Sequence, residues 1–228
     1  MSRSLRVVRF SAAGFLMVGW LGWMTYPLQA KKTAPGVPDL TIDEARVAES
    51  AFTETQVFLD TDCAVVEGCV NGAGERLLLR FDVATPNIGT ADLVLGMPKK
   101  SPDLFEYSPC HGHYHFSGYA KYELLSLSEV VVEGRKQAFC LEDFEKVDPN
   151  AGKAKYTCSN QGISVGWQDV YRSSLDCQWL DITGVPPGMY ELRVTINPER
   201  VLTEASYENN TASVFLVLYA DGTIDVLP

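Results

Sequence analysis

The chain has 228 residues, of which 46% are hydrophobic and 21% charged. That balance excludes a disordered polymer and leaves room for one domain or two small ones. A net charge of −10, with no basic patch interleaved with aromatics, argues against nucleic acid, whose phosphates need clustered Lys and Arg. An acidic surface suits solubility or cationic partners such as amines and basic proteins.

At the N-terminus, Arg3, Arg6 and Arg9 precede the apolar run "FSAAGFLMVGWLGWMTYPLQA", and no acidic residue occurs before Asp39. This pattern predicts an export signal over residues 1–30, cleaved after Ala30. The run is long enough that an uncleaved membrane anchor is the alternative. Either way the remainder is expected outside the cytoplasm, secreted or periplasmic, with membrane contact only if the segment is retained. "KKTAPGVP", residues 31–38, reads as a linker, and residues 39–228 as the folded domain.

Strand patterns dominate that domain. "RLLLRFDV" and "ADLVLG" flank the turn-like "ATPNIGT", and "YAKYELLSL" alternates from Tyr119 onward. "VVVEGRKQAFCL" carries Glu133-Gly134 as its expected turn, and "CQWLDI", "MYELRVTI" and "SVFLVLY" follow. Short strands punctuated by Gly and Pro predict a mainly β fold, an antiparallel β-sandwich core. Weak periodicity over 101–109 and 142–169 predicts long functional loops. In an exported chain the six cysteines, Cys63, Cys69, Cys110, Cys140, Cys158 and Cys177, read as a disulfide framework. Spacing leaves the fifteen connectivities open, although proximity favours closing Cys63 on Cys69.

All three histidines fall within "CHGHYHF", as His111, His113 and His115. Alternation puts them on one face of an extended segment. At roughly 3.3 Å per residue, the outer two Cα atoms of a regular strand would lie about 13 Å apart. One metal ion needs the nitrogens at about 2 Å, so the segment is expected to curl. Three imidazoles without a thiolate favour Cu(II) or Zn(II), and spacing does not choose between them.

"CHGHYHFSGYAKYELL" closely resembles the copper segment of the lysyl oxidases. "EGRKQAFCLED", "DVYRSSLDCQWLDITGVPPGMYELRVTINPE" and "LTEASYENN" resemble three further segments of that family, in the same order, over roughly residues 37–219. The resemblance implies that His111, His113 and His115 hold Cu²⁺. It also implies that Lys136 and Tyr171 form the family's lysine tyrosylquinone, the lysine amine adding to the oxidised tyrosine ring. The implied activity is that of an exported copper amine oxidase. It would convert primary amines, as lysine side chains or small molecules, to aldehydes with O₂, releasing H₂O₂ and ammonia.

The proton-abstracting base is implied to be a carboxylate, because no histidine is left over; Asp176 and Asp169 are the candidates near Tyr171. A calcium site is implied at Asp39, Leu40 through its carbonyl, Glu204, Asn209 and Asn210, all oxygen donors. Ser206 stands there in place of a family aspartate. The implied disulfides are Cys63–Cys110, Cys69–Cys177 and Cys140–Cys158, and both cysteines of the family's fourth bond are missing. Tyr107 and Ser108 replace a Trp and a His of animal members. Taken alone, Lys136 reads as a solvated strand lysine and Tyr171 as a loop or core tyrosine. The alternative to an enzyme is a non-catalytic copper-binding or adhesion β-sandwich module, which has no reason to keep that pair.

Overall fold

A computed structural model describes residues 35–116, 118–134 and 140–228. The expected export signal, most of the linker, and Lys136 lie outside the described residues. Among those described, no helix is long and apolar enough to cross a membrane.

The chain opens with helix α1 (Glu44–Ser50), strand β1 (Phe52–Phe58), the single helical turn α2 (Cys63–Val66), and strands β2 (Gly74–Arg80), β3 (Val83–Pro86) and β4 (Leu93–Gly96). Next come β5 (Phe105–Ser108), β6 (His113–Phe116), β7 (Ala120–Ser126), β8 (Glu129–Glu133), β9 (Glu145–Lys146) and β10 (Gln161–Ile163). The C-terminal part adds β11 (Trp167–Tyr171), β12 (Trp179–Asp181), β13 (Gly188–Ile196), β14 (Thr211–Leu218) and β15 (Ile224–Val226). Every strand pairing is antiparallel. The strands form a five-stranded sheet, β15-β14-β13-β7-β8, with smaller sheets β1-β2-β12, β3-β11-β9, β10-β4 and β5-β6.

The five-stranded sheet buries one face. Along β13, Tyr190, Leu192, Val194 and Ile196 point inward, and Ala212, Val214, Leu216 and Leu218 do so along β14. This is the period-two pattern that alternating sequence dictates. Strand β2 instead carries consecutive leucines because it is covered on both sides. Leu79 enters the main core, and Leu78 enters a satellite cluster with Phe58, Trp179 and the Cys69 and Cys177 side chains. Buried Arg80 is anchored there: it donates to the Ser173 carbonyl at 2.7 Å and to Gln56 at 2.8 Å, its Nε lies 2.7 Å from Glu54, and its guanidinium is 4.4 Å from the Trp179 ring centre.

Four local expectations are corrected. Ala84, Thr85 and Pro86 belong to β3, so the turn shrinks to the residues after Pro86. Between β7 and β8 the chain reverses at Leu127-Ser128, both at positive φ (50° and 73°), whereas Glu133-Gly134 merely ends β8. Two-residue hairpins favour such angles, but here neither residue is the Gly or Asn that signals them. Helix α1, unanticipated among strands, starts where the Asp43 side chain accepts from the Arg46 amide at 3.1 Å, an N-cap.

The two presumed loops also carry strands. Residues 101–109 contain β5, which pairs with the histidine strand β6. Residues 142–169 contain β9, β10 and most of β11, and half-buried carboxylates organise them. Asp143 accepts from the Ser164 amide and hydroxyl and from the Lys155 amide, each at 2.7 Å. Asp92 accepts from Lys155 Nζ at 2.7 Å and the Val165 amide at 3.0 Å.

Residues 37–39 dock as a strap against the turn after β3. Thr90 donates to the Val37 carbonyl at 2.9 Å and Ile88 to the Asp39 carbonyl at 2.8 Å. Gly89 permits this approach: a Cβ there would lie 2.4 Å from the Asp39 nitrogen and 2.5 Å from the Val37 oxygen. Both are backbone atoms that cannot swing away. Gly89→Ala is therefore expected to destabilise the fold by about 1–3 kcal/mol, measured as a lowered urea midpoint; an unchanged midpoint would contradict the docking of this strap.

Candidate metal centre and active site

The three imidazoles meet because the chain turns just before β6. His113 and His115 lie on one face of that strand, their Nε2 atoms 3.1 Å apart. Residues 110–112 curl back, with Gly112 at φ 69° and its amide donating to the Ser108 carbonyl at 2.9 Å. The His111 ring then sits 5.8 Å from that of His113 and 5.2 Å from that of His115, centre to centre. Three imidazoles this close form a nitrogen donor set that fits Cu(II) or Zn(II). His115 is buried and the other two are partly covered.

A cavity of about 360 Å³ adjoins them, lined in part by His113, Asp169, Tyr171, Glu142 and the Cys140 and Cys158 residues. Asp169 and Tyr171 are two apart on β11, so strand geometry brings both to one face. The Tyr171 hydroxyl donates to the Cys140 carbonyl at 3.1 Å, and its ring stands edge-on to Tyr119 at 4.9 Å. The Tyr119 hydroxyl in turn hydrogen-bonds Thr85.

Asp169 is 3% exposed. One oxygen accepts from the Val170 amide at 2.8 Å, and Oδ2 is buried without a hydrogen-bond partner. Burial, with neighbouring Glu142 adding to it, pushes this carboxyl well above the usual range, and backbone amides offset only part of the effect. Asp176 occupies a different place. Its side chain is 61% exposed, and Oδ2 lies 3.7 Å from His111 Nε2.

The six cysteines are joined as Cys63–Cys110, Cys69–Cys177 and Cys140–Cys158. Glu67, Cys69 and Cys177 also cluster within 4.8 Å, but sulfurs spent in a disulfide are not thiolate ligands. The five residues of the expected calcium site converge as well. Glu204 accepts from the Leu40 amide at 2.7 Å and from Asn210 at 2.9 Å, while Asp39 accepts from the Ser206 amide at 3.2 Å and Asn209 at 3.4 Å. The Oδ1 atoms of Asn209 and Asn210 are buried without a hydrogen-bond partner. Sequence reasoning missed Glu67, which contacts His111, and Glu142 in the cavity, and it singled out Ser108 only as a replaced family position, not as a His111 contact. For Glu67 the only available signal was its place between Cys63 and Cys69.

Residues 38–227 match the profile of the lysyl oxidase family. The chain belongs to the lysyl oxidase family. It is 36% identical over 187 residues to protein-lysine 6-oxidase of Sus scrofa, covering 77% of this chain and 74% of that one. It is 39% identical to lysyl oxidase homolog 2 of Gallus gallus and 37% to lysyl oxidase homolog 4 of Homo sapiens, each over 76% of this chain. It spans only 23% and 24% of the lengths of those two relatives. Likeness to a solved CARDB domain from Pyrococcus furiosus, at 12% identity and a TM-score of 0.31, covers 78% of this chain and 86% of that one and carries no argument.

Asp169 should leave a signature in stability. Below its ordinary range the carboxyl is neutral in both folded and unfolded states. As pH rises, the unfolded chain releases the proton while the raised folded group retains it, so folding loses free energy. Asp169→Asn is thus expected to stabilise the protein by about 1 kcal/mol or more near neutral pH. The gain over the parent should shrink as pH falls toward the ordinary carboxylate range. Denaturation midpoints of both proteins across that range test this, and a gain that grew on acidification would contradict it.

Proposed function

We propose that this chain is an exported copper- and quinone-dependent amine oxidase, converting primary amines, as peptidyl lysine or small molecules, to aldehydes with release of H₂O₂ and ammonia. The observation carrying this reading is that one histidine of the cluster, His113, lines the same cavity as Tyr171 and Asp169. On this reading, His111, His113 and His115 would hold copper and Lys136 with Tyr171 would form the quinone, together supplying a two-electron oxidation with O₂ as the final acceptor.

The remaining work falls to side chains around the cavity. Tyr171 is clamped at its hydroxyl by the Cys140 carbonyl and at its ring by Tyr119, which restricts which edge meets a substrate. Glu142 and Asp169 bring two carboxyl groups to the cavity, hydrogen-bonding partners for an ammonium group. Phe144, Val170 and Leu175 supply an apolar wall that thins out water. In its ionised form, reached once its own proton has passed to solvent or to a neutral amine, Asp169 then takes the proton from the carbon bearing the nitrogen. Its unpartnered Oδ2 is available, and burial makes it more basic than an exposed aspartate. Asp176, beside His111 and solvent-facing, is less suited to that step.

Peroxide release from copper-loaded protein, over a panel of small amines and lysyl peptides, tests the reading. His113→Ala and Tyr171→Phe should reduce release to background, and Asp169→Asn should lower kcat by about 10²–10⁴. Quinone-positive protein that releases no peroxide with any amine would refute it.

We also infer calcium at Asp39, the Leu40 carbonyl, Glu204, Asn209 and Asn210. Two buried amide oxygens without donors, beside two carboxylates, leave an excess of hard acceptors that a cation relieves. Ser206 contributes no charge, so binding should be weaker than with an aspartate there. Calorimetry should show one Ca²⁺ bound per chain, lost in Glu204→Gln; no heat from the parent protein would refute the site.

A further inference from the structure

The Ser108 hydroxyl has one proton and three polar neighbours. Its Oγ lies 2.5 Å from Glu67 Oε1, 3.1 Å from the His111 backbone nitrogen and 3.3 Å from His111 Nδ1. A carboxylate only accepts, so the serine proton belongs on the contact to Glu67. A backbone amide only donates, so Oγ accepts from His111 N–H. Serine then has no proton left for the imidazole, and its contact with Nδ1 is a hydrogen bond only if Nδ1 carries the hydrogen. Glu67 Oε2, 3.5 Å from the same Nδ1, presents a second acceptor on that side of the ring.

We infer that Ser108 and Glu67 act as a positioning pair that fixes His111 as the Nδ1–H tautomer, making Nε2 its metal-binding nitrogen. This rests on the three-histidine metal reading given above. The opposite tautomer would need Ser108 to give its proton to Nδ1, which would leave the 2.5 Å contact with Glu67 without the serine hydrogen. The geometry of the other rings agrees, since His113 and His115 also turn their Nε2 atoms toward each other. Holding the remote N–H of a ligating imidazole sets its orientation and strengthens it as a donor.

Both members of the pair are themselves held. Ser108 is 1% exposed, ends β5, and faces His113 in the strand register. The Glu67 side chain is 8% exposed. It lies on the short stretch between Cys63 and Cys69, whose disulfides lead to Cys110 and Cys177. Cys110 is bonded in sequence to His111, so acceptor and ring are anchored by the same cross-link.

Long-range ¹⁵N NMR on the metal-free full chain near pH 8 reads the tautomer directly, with only three histidines to assign. His111 should show hydrogen on Nδ1 in the parent and a mixture of tautomers in Ser108→Ala. Hydrogen on Nε2 in the parent overturns the inference. In competition titrations Ser108→Ala and Glu67→Ala should bind Cu²⁺ about 10–100-fold more weakly. Glu67→Gln, whose amide oxygen still accepts from Ser108, should fall between them and the parent. Unchanged affinity in both alanine variants, with thermal midpoints intact, also overturns it. His113→Ala separates the two readings: stoichiometric copper retained in that variant refutes the three-histidine site itself, whereas its loss there with unaffected Ser108 and Glu67 variants refutes only the positioning pair.

Discussion

Two cross-links govern where the chemistry-bearing segments lie. Cys63 and Cys69 flank one helical turn and its exit, and each reaches far along the chain, over separations of 47 and 108 residues. The first bond fastens the turn that carries His111. The second fastens the chain after β11, six residues beyond Tyr171. In the chain-entropy description, closing loops of this size disfavours the unfolded state by about 3–5 kcal/mol each. The local effect matters more here. The histidine turn projects from the two-stranded β5-β6 sheet, and a two-stranded unit is marginal by itself.

What was legible in the sequence depended on whether a residue's partner was near it in the chain. The alternation of "MYELRVTI" and "SVFLVLY" identifies β13 and β14 because the pattern reports burial directly. The histidine spacing is legible for the same reason, and so is the need for the segment to curl. Residues 142–169 show no periodicity because Asp143 and Asp92, each serving several backbone and side-chain donors, do the organising. The Leu127-Ser128 reversal is illegible because its residues are poor formers of the angles they adopt. Tyr171 gains meaning only from its likeness to a family, since a buried tyrosine on a strand is ordinary core material.

The cavity carries a cost that a purely structural pocket would avoid. Asp169 sits in the interior with one oxygen unsatisfied, next to Tyr119 and Tyr122, whose phenols burial pushes far up. Buried polar groups without partners weaken a fold. The three-disulfide frame offsets such a loss, and its placement around the cavity, with Cys140 and Cys158 in the wall, puts the reinforcement beside the weakness.

The bond between Cys63 and Cys110 also imposes a chronology. While its sulfurs are thiols, the turn before β6 lacks its anchor, Glu67 is not held against the His111 ring, and free thiolates nearby would compete for any soft metal. Oxidation removes these competitors and assembles the nitrogen donors in one event. A chain still in a reducing environment would therefore offer any metal its thiolates before its three imidazoles, and the nitrogen site is complete only after the redox surroundings change.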